Sequence, residues 1–493
     1  MRIVLIIPPG GYYAERWQKG ALMPSLGVGY LASSLEQEGH EVHIIDAHVE
    51  HLSWRRLEGM LKKISPSAVG FSFTTENRFE AFRLIEQVKK AFPRVITIAG
   101  GPHVTPTATD TLKNISALDL IVRGEGEATM VELGRCLEEG KDYGEVLGLS
   151  YRRNGEVKNN PRRHFIENLD SIPFPAWHLM PWYKYNFILE VPEKGKVKHA
   201  NLITSRGCPF SCNFCATQNS WGRRFRARSP ENVLREITQL VDNYGIKGIW
   251  FFDDTFTTNR QRVWDICQEL IEAKLDLSWF CEIRVDTVDK ELLQKMKESG
   301  CYCVAFGVES GSHRILDEVI GKKISLQQVR EVTRWCDELG IKTNPFFIFS
   351  HPEETEEDIE QTMEMMRNWP AHSDISLSLL HIYPGTRLEA TAKEKGLLPA
   401  DFSWAKKDQR GVITLPSAQG NVPIFVDKLS WEYLSRLMFE WAEGQRYRIL
   451  NKIPRAIRSI RTYSDFKRYM TMFKTFIKVK FHKLLSHGSA SSR

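Results

Sequence analysis

Thr204-Ser-Arg-Gly-Cys208-Pro-Phe-Ser-Cys212-Asn-Phe-Cys215 is the stretch on which the reading of this 493-residue chain turns. It holds three of the nine cysteines. The other six (Cys136, Cys267, Cys281, Cys301, Cys303 and Cys336) are scattered and read as small buried hydrophobes. An odd count with no paired framework suits a reducing compartment. On a loop, the C-x3-C-x2-C spacing lets three thiolates converge on one metal centre. Such soft ligands select iron–sulfur clusters or zinc, and structural zinc wants four protein ligands. No further Cys or His follows until Cys267 and His313. Three thiolates therefore fit a four-iron cubane with one iron left open to a substrate or cofactor. A zinc site and a chance grouping are the lesser alternatives.

Working outward, Asn201–Thr204 reads as a strand, and five more follow at Gly248–Phe252, Ser278–Ile283, Cys303–Val308, Thr343–Phe349 and Ile375–His381. Helical patterns lie between them. Ser229-Pro230 offers an N-cap with proline at the first helical position, and Ser325-Leu-Gln-Gln328 is a capping box. Repeated strand–helix units over residues 196–398 predict a partial (β/α)6 barrel of TIM type, with its site where the strands end. Before it, residues 1–140 alternate strands (Ile3–Ile7, Glu41–Asp46, Ala68–Phe73, Val95–Ala99, Leu118–Val122) with four helices (Leu26–Glu38, Trp54–Ile64, Arg78–Phe92, Ala128–Glu139). That is an α/β, Rossmann-like doubly wound domain, whose ligand belongs at the carboxyl ends of the strands. Residues 141–195, rich in Gly and Pro, read as a linker with a short hairpin at Asn154-Gly155. Residues 399–493 read as a loop-rich stretch followed by helices.

The cysteine stretch closely resembles the radical S-adenosylmethionine enzymes, whose motif has an aromatic residue, here Phe214, before its third cysteine. The resemblance implies a [4Fe–4S] cluster on Cys208, Cys212 and Cys215. It also implies S-adenosylmethionine at the open iron, cleaved by an electron from a flavodoxin- or ferredoxin-type donor to a 5′-deoxyadenosyl radical. It places cofactor-binding groups at the next strand ends: Asp253 in Trp250-Phe-Phe-Asp-Asp254, Arg284 in Cys281-Glu-Ile-Arg284 and Glu309 in Gly307-Val-Glu-Ser310. A carboxylate suits an ammonium or ribose hydroxyls, and an arginine suits a carboxylate. The plainer reading is that these residues cap the following helices. The family's glycine-rich turn after the fifth strand is replaced by Phe349-Ser-His351-Pro-Glu-Glu-Thr355, which puts adenine contacts there in doubt; His351 either faces the site or fills the turn. Trp221-Gly-Arg223-Arg224-Phe-Arg226-Ala-Arg228 is either a solvated basic strip or a clamp for an acidic substrate or the neighbouring domain.

The order of domains resembles the cobalamin-binding subgroup of that family. Three strand-end motifs carry this: Phe71-Ser72-Phe73, Gly100-Gly101-Pro-His103 and Arg123-Gly-Glu125-Gly-Glu127. The resemblance implies cobalamin held by Ser72, Gly100, Gly101 and His103; an empty scaffold or another nucleotide is the alternative. The D-x-H-x-x-G motif that supplies an axial histidine in mutases is absent after the first strand. Asp46-Ala-His48-Val-Glu-His51 follows the second strand, lacks the glycine and reads as a loop. Cobalamin is therefore expected without a protein histidine on cobalt.

The commonest reaction of the subgroup is methylation of an unreactive carbon, here expected on a lipid or tetrapyrrole-like small molecule. Anaerobic cyclisation of a tetrapyrrole is a second reading, since the Arg-Gly-Cys-Pro to Arg-Ser-Pro-Glu stretch also resembles the magnesium-protoporphyrin ester cyclases. Membrane-lipid modification without methyl transfer and a non-catalytic iron–sulfur or cobalamin sensor complete the set.

The net charge of +6 is local. Residues 446–493 carry thirteen Lys or Arg against Asp465, so the tail is +12 and the body near −6. Phe466, Tyr469, Met470, Phe473, Phe476, Ile477, Phe481 and Leu484 recur there at helical spacing among lysines and arginines. A basic amphipathic helix suits an anionic membrane surface; a packed terminal helix with snorkelling lysines and nucleic-acid binding rank below it, and no nucleic-acid motif accompanies the charge. With no apolar run long enough to span a bilayer and a start too short for a signal peptide, the expected place is the cytoplasm, and the tail adds peripheral contact with the inner face of the membrane as an option. Co-sedimentation with anionic liposomes is expected for the full chain and to fall at least severalfold without residues 446–493. Equal sedimentation of both would remove the membrane reading.

Overall fold

The computed structural model describes residues 1–10, 22–370, 373–407, 409–414 and 422–444. Two seven-stranded sheets organise them. The first contains β1 (Arg2–Ile7), β2 (Glu41–Asp46), β3 (Ala68–Ser72), β4 (Ile96–Gly100), β5 (Leu120–Val122), β6 (Leu149–Arg153) and β7 (Glu156–Asn159). The order is β2-β1-β3-β4-β5-β6-β7, with the first five strands parallel and the last two antiparallel. The chain leaves β1 towards β2 on one side and β3 on the other. That reversal opens a crevice at the carboxyl ends of β1 and β3. Alternate residues of β1 serve opposite layers, as the period of two requires. Val4 and Ile6 pack with Leu57, Phe82 and Val104, while Ile3 and Leu5 pack with Val28, Leu35 and Met130.

The sequence pattern had no helix between β4 and β5, yet Val104–Asn114 forms one. Three of the five residues in its buried stripe (Val104, Thr107, Ala108, Thr111, Leu112) are threonine or alanine, which hides the apolar period. Thr107 pays its burial by donating to the His103 carbonyl at 2.8 Å, and Pro106 sits in the first turn, where no N–H is needed.

The stretch 141–195 is more structured than a linker. The expected hairpin forms, with Asn154 at φ +54° and Gly155 at φ +81°, a turn whose twist suits paired strands. It extends the first sheet, because β6 pairs with β5. Farther along, β8 (Ile188–Val191) pairs antiparallel with β9 (Gly195–Leu202), so the first barrel strand starts six residues before Asn201.

After β9 come β10 (Ser205–Arg206) and β11 (Arg226–Ala227), an antiparallel pair that brackets the cysteine loop. Then follow β12 (Gly248–Phe251), β13 (Ser278–Ile283), β14 (Cys301–Glu309), β15 (Lys342–Phe349) and β16 (Ser376–Leu379). Sheet order β16-β15-β14-β13-β12-β9-β8 is parallel throughout except at β8. This is the expected six-strand partial barrel with one added edge strand. The stretch after residue 398 ties the two sheets together. Arg78 donates to the carbonyls of Trp404 and Thr75, Ser403 bonds Asp110, and the Phe425 N–H reaches the Leu380 carbonyl. A helix follows at Trp431–Gly444. The expected basic tail helix lies outside the described residues.

The domains meet at a buried charge network. Arg206 pairs with Glu127 at 2.6 Å and Glu125 at 3.3 Å, and Arg226 pairs with Glu125 at 2.7 Å; all four side chains are under a tenth exposed. Arg228 pairs with buried Glu236. The basic strip is thus divided: Arg226 and Arg228 are buried in ion pairs, and Arg224 is exposed. Truncating one partner of a buried pair leaves an uncompensated charge and costs about 3–5 kcal/mol. Glu125→Ala should therefore lower the denaturation midpoint sharply, whereas Glu167→Ala, which removes only the exposed partner of Arg224, should leave it within error.

Candidate functional site

The cysteine loop is fixed by its own backbone before any metal is considered. Gly207 sits at φ +89°, and a Cβ there would lie 2.2 Å from the Arg224 carbonyl oxygen, so only glycine fits. The Cys215 N–H bonds the Cys212 carbonyl at 3.3 Å, closing the turn. Asn213 donates to Ile320 and Val319, at the end of a π-helical turn (Ile315–Ile320), and Leu388 N–H reaches the Asn213 carbonyl. π-Helical turns often mark functional sites. Cys208, Cys212 and Cys215 are half-buried and unpaired. Burial pushes the Cys212 thiol up and the Cys215 thiol to about 11. Thiolates here need a metal to hold them. Among the described residues no three His, Cys, Asp or Glu side chains could hold a single metal ion. Three free thiols on one backbone-fixed loop are the soft donor set that a cubane takes, one per iron, so their chemistry fits the cluster.

The strand-end residues expected to serve a cofactor fall into different settings. Asp253 is buried and accepts from the Thr204 N–H and hydroxyl at 3.1 and 3.0 Å and from the Ser205 hydroxyl. It holds the end of β9 in place. Its neighbour Asp254, which the sequence pattern did not single out, lines the cavity described below and accepts from Thr217 Oγ1 at 2.9 Å; burial pushes it up to about 6. Arg284 clasps Asp286 through two hydrogen bonds of 2.9 and 2.8 Å, donates to the Lys322 carbonyl, and lies over the Phe210 ring at 3.5 Å. It braces the cysteine loop from behind.

Glu309 closes β14 at φ +69°, beside a register shift, and pairs with Lys322 at 2.6 Å. Gly307 makes this possible: a Cβ there would lie 1.8 Å from the Glu309 carboxylate and 2.4 Å from the Lys322 ammonium. Lys322 is the second residue the sequence reading missed, and Gly321-Lys-Lys323 gives no signal beyond charge. Lys322, Glu309 and Arg284 all act electrostatically on Cys212, so the three gather at the cluster end of the barrel.

At the fifth strand end, Ser350 takes φ +76° where the sequence lacks a glycine, and the N–H groups of Ser350 and His351 both donate to Glu354. The turn is built without its glycine. His351 faces the loop, its ring 6.1 Å from that of Phe214, with both ring nitrogens buried.

A cavity of about 530 Å³ lies between the sheets. Its first-domain walls are β1, β3 and β4 strand ends, including Ser72, Gly100 and Gly101; its barrel walls include Ala216, Thr217, Trp221 and Asp254, which begin directly after Cys215. Gly101 is at φ +102°, with a Cβ position 2.8 Å from the Phe73 carbonyl oxygen, while at Gly27 and Gly124 a Cβ would meet nothing within 4 Å. Backbone and apolar walls at a topological switch point suit a broad planar cofactor, so Ser72, Gly100 and Gly101 fit cobalamin. His103 does not. Its side chain turns away from the cavity, fully buried among Phe73, Phe82 and Trp404, with Nδ1 on Thr75 Oγ1. The expectation for His103 is corrected: proline follows the glycine pair, and the next residue is carried to the helix face of the sheet.

Fold and site together define a doubly wound ligand-binding domain that opens onto a three-cysteine centre at a barrel mouth. Comparison with known proteins supports the two domains. Residues 202–366 match the radical SAM superfamily and residues 19–134 the B12 binding domain. The chain is 39% identical over 409 residues to an uncharacterized methyltransferase of Pyrococcus horikoshii, covering 82% of this chain and 86% of that protein. It is 31% identical over 376 residues to an anaerobic magnesium-protoporphyrin IX monomethyl ester cyclase of Rubrivivax gelatinosus, covering 75% and 66%. The solved structure of the radical S-adenosylmethionine methyltransferase TsrM from Kitasatospora setae, with cobalamin and a [4Fe–4S] cluster, superposes at TM-score 0.68 and 18% identity over 87% of this chain and 84% of that one. This chain belongs to the B12-binding radical SAM enzyme family.

Gly207→Ala keeps all three cysteines but should fail to hold the cluster, with iron and sulfide after anaerobic reconstitution falling to a small fraction of wild type. Wild-type iron content would contradict this account of the loop.

Proposed function

We propose that the protein is a cobalamin-dependent radical enzyme that methylates an unactivated carbon of a largely apolar small molecule, lipid or tetrapyrrole-like. The observation that carries this reading is the shared cavity: strand ends fit for cobalamin and the residues directly after Cys215 wall the same space. When bound, the cluster and S-adenosylmethionine supply a hydrogen-abstracting radical, and cobalamin supplies a methyl group. The chain's own residues bind and orient. Lys322, paired with Glu309, and Arg284, clasped to Asp286, stand beside Cys212 and position the cluster end of the barrel, and Asp254 offers a carboxylate to an ammonium or hydroxyl in the cavity. Trp221, Phe252 and Leu22 give the walls apolar surface. The P. horikoshii relative's name supports methyl transfer; the cyclase relative supports a tetrapyrrole substrate and keeps ring formation as the second reading. The electron would come from a flavodoxin- or ferredoxin-type donor, and the basic tail supports action at a membrane surface.

The two readings differ in their by-products. Methyl transfer consumes S-adenosylmethionine twice, once as methyl donor and once as radical source, and so yields S-adenosylhomocysteine and 5′-deoxyadenosine together. Ring formation yields 5′-deoxyadenosine without S-adenosylhomocysteine. Anaerobic turnover of the reconstituted protein with cobalamin, a reductant and an extract of a deletion strain should give both products, with label from methyl-deuterated S-adenosylmethionine entering one extract component. 5′-Deoxyadenosine alone would favour the cyclase, and neither product would favour a sensor.

A further inference from the structure

His48 lies in the second-strand loop that the sequence reading set aside, and the structure makes it part of the cavity wall. Its position is set from three sides. The Asp46 carboxylate is buried and accepts the N–H groups of His48 and Val49 at 3.1 and 3.0 Å, and the Tyr185 hydroxyl at 2.9 Å. That ties the loop to the segment leading into the barrel. His48 Nδ1 accepts the Gly10 N–H at 2.9 Å. Burial holds the imidazole below its usual pKa, so the ring is neutral.

A neutral imidazole has one donor and one acceptor nitrogen, and here the acceptor is taken. Nδ1 receives a hydrogen bond, so the proton is on Nε2. Nε2 is buried, with no hydrogen-bond partner among the described residues. A buried N–H left unpaired costs free energy, and the cavity that His48 lines is the ligand-sized space beside it. The same tautomer rules out the obvious alternative. To ligate cobalt, Nε2 needs its lone pair, which would send the proton to Nδ1, where it would face the Gly10 N–H donor to donor.

We propose that His48 is a hydrogen-bond donor for cobalamin, with Nε2–H reaching an acceptor oxygen on the cofactor, and that it is not an axial ligand to cobalt. The acceptor is a side-chain carboxamide carbonyl of the corrin or the phosphate of the nucleotide tail. This inference rests on the cobalamin reading of the cavity.

The test is binding and spectroscopy, with no turnover. Cobalamin affinity of the reconstituted protein is measured for wild type, His48→Ala and His48→Gln, with cluster content and circular dichroism as folding controls. Losing one such hydrogen bond to a bound ligand should weaken binding roughly five- to tenfold in His48→Ala, and His48→Gln, which keeps an N–H donor, should recover most of it. Repeating the titration with cobinamide, which lacks the tail, locates the acceptor: an equal loss places it on the corrin, and a loss confined to cobalamin places it on the phosphate. Electron paramagnetic resonance of the Co(II) form should be unchanged by ¹⁵N-histidine labelling. Unaltered affinity in a folded His48→Ala protein would overturn the proposal, as would a change in the cobalt nitrogen splitting on labelling. Wild-type protein that binds no cobalamin would instead overturn the reading on which it rests.

Discussion

Arg206 stands two residues before Cys208, and Arg226 closes the loop that carries the three cysteines; both reach the same carboxylate, Glu125 of the first domain. Glu127 completes the set, and the guanidinium of Arg206 also lies over Trp221 and Tyr30. The ends of the cluster loop are thus anchored in the domain that offers its strand ends to the cavity. Buried ion pairs are weak sources of stability, because desolvation consumes most of the attraction, and an apolar seam can be as stable. What directional, bidentate-capable groups add is a preferred registration. A shift of one domain by a hydrogen-bond length would unpair several charges at once.

Around that constraint the site is assembled from backbone conformations that few residues adopt. Gly207, Glu309 and Ser350 all sit at positive φ, at the start of the cluster loop and at the ends of the fourth and fifth parallel strands. For Glu309 and Ser350 this costs roughly 1–3 kcal/mol each, and each is held by a specific tether, Lys322 in one case and Glu354 in the other.

Much of this was legible in the sequence because the signals were periodic or chemically dense. The apolar strand runs, the capping box at Ser325 and the cysteine spacing each carry one dominant physical demand. The helix at Val104–Asn114 was not legible, since its buried face uses threonines whose hydroxyls are satisfied inside the helix. β8 was not legible either, as four alternating residues between prolines resemble a loop until β9 is there to pair with them. Within the site, motif position located the strand ends correctly but could not say which neighbour faces inward. Asp253 and His103 point into packed structure, and Asp254 and His48 line the cavity. That choice depends on the local turn, and Lys322 depends on a π-helical turn no pattern announces. The Glu125-Gly-Glu127 motif carried the opposite surprise: its carboxylates face the arginines of the barrel.

The central claim is that the cobalamin site and the cluster site open on one another across this seam. The dipolar interaction between Co(II) and the reduced, paramagnetic cluster tests it most directly. In protein loaded with both cofactors, reducing the cluster should broaden the Co(II) resonance and shorten its relaxation. A Co(II) spectrum and relaxation rate indifferent to the redox state of the cluster would contradict the account.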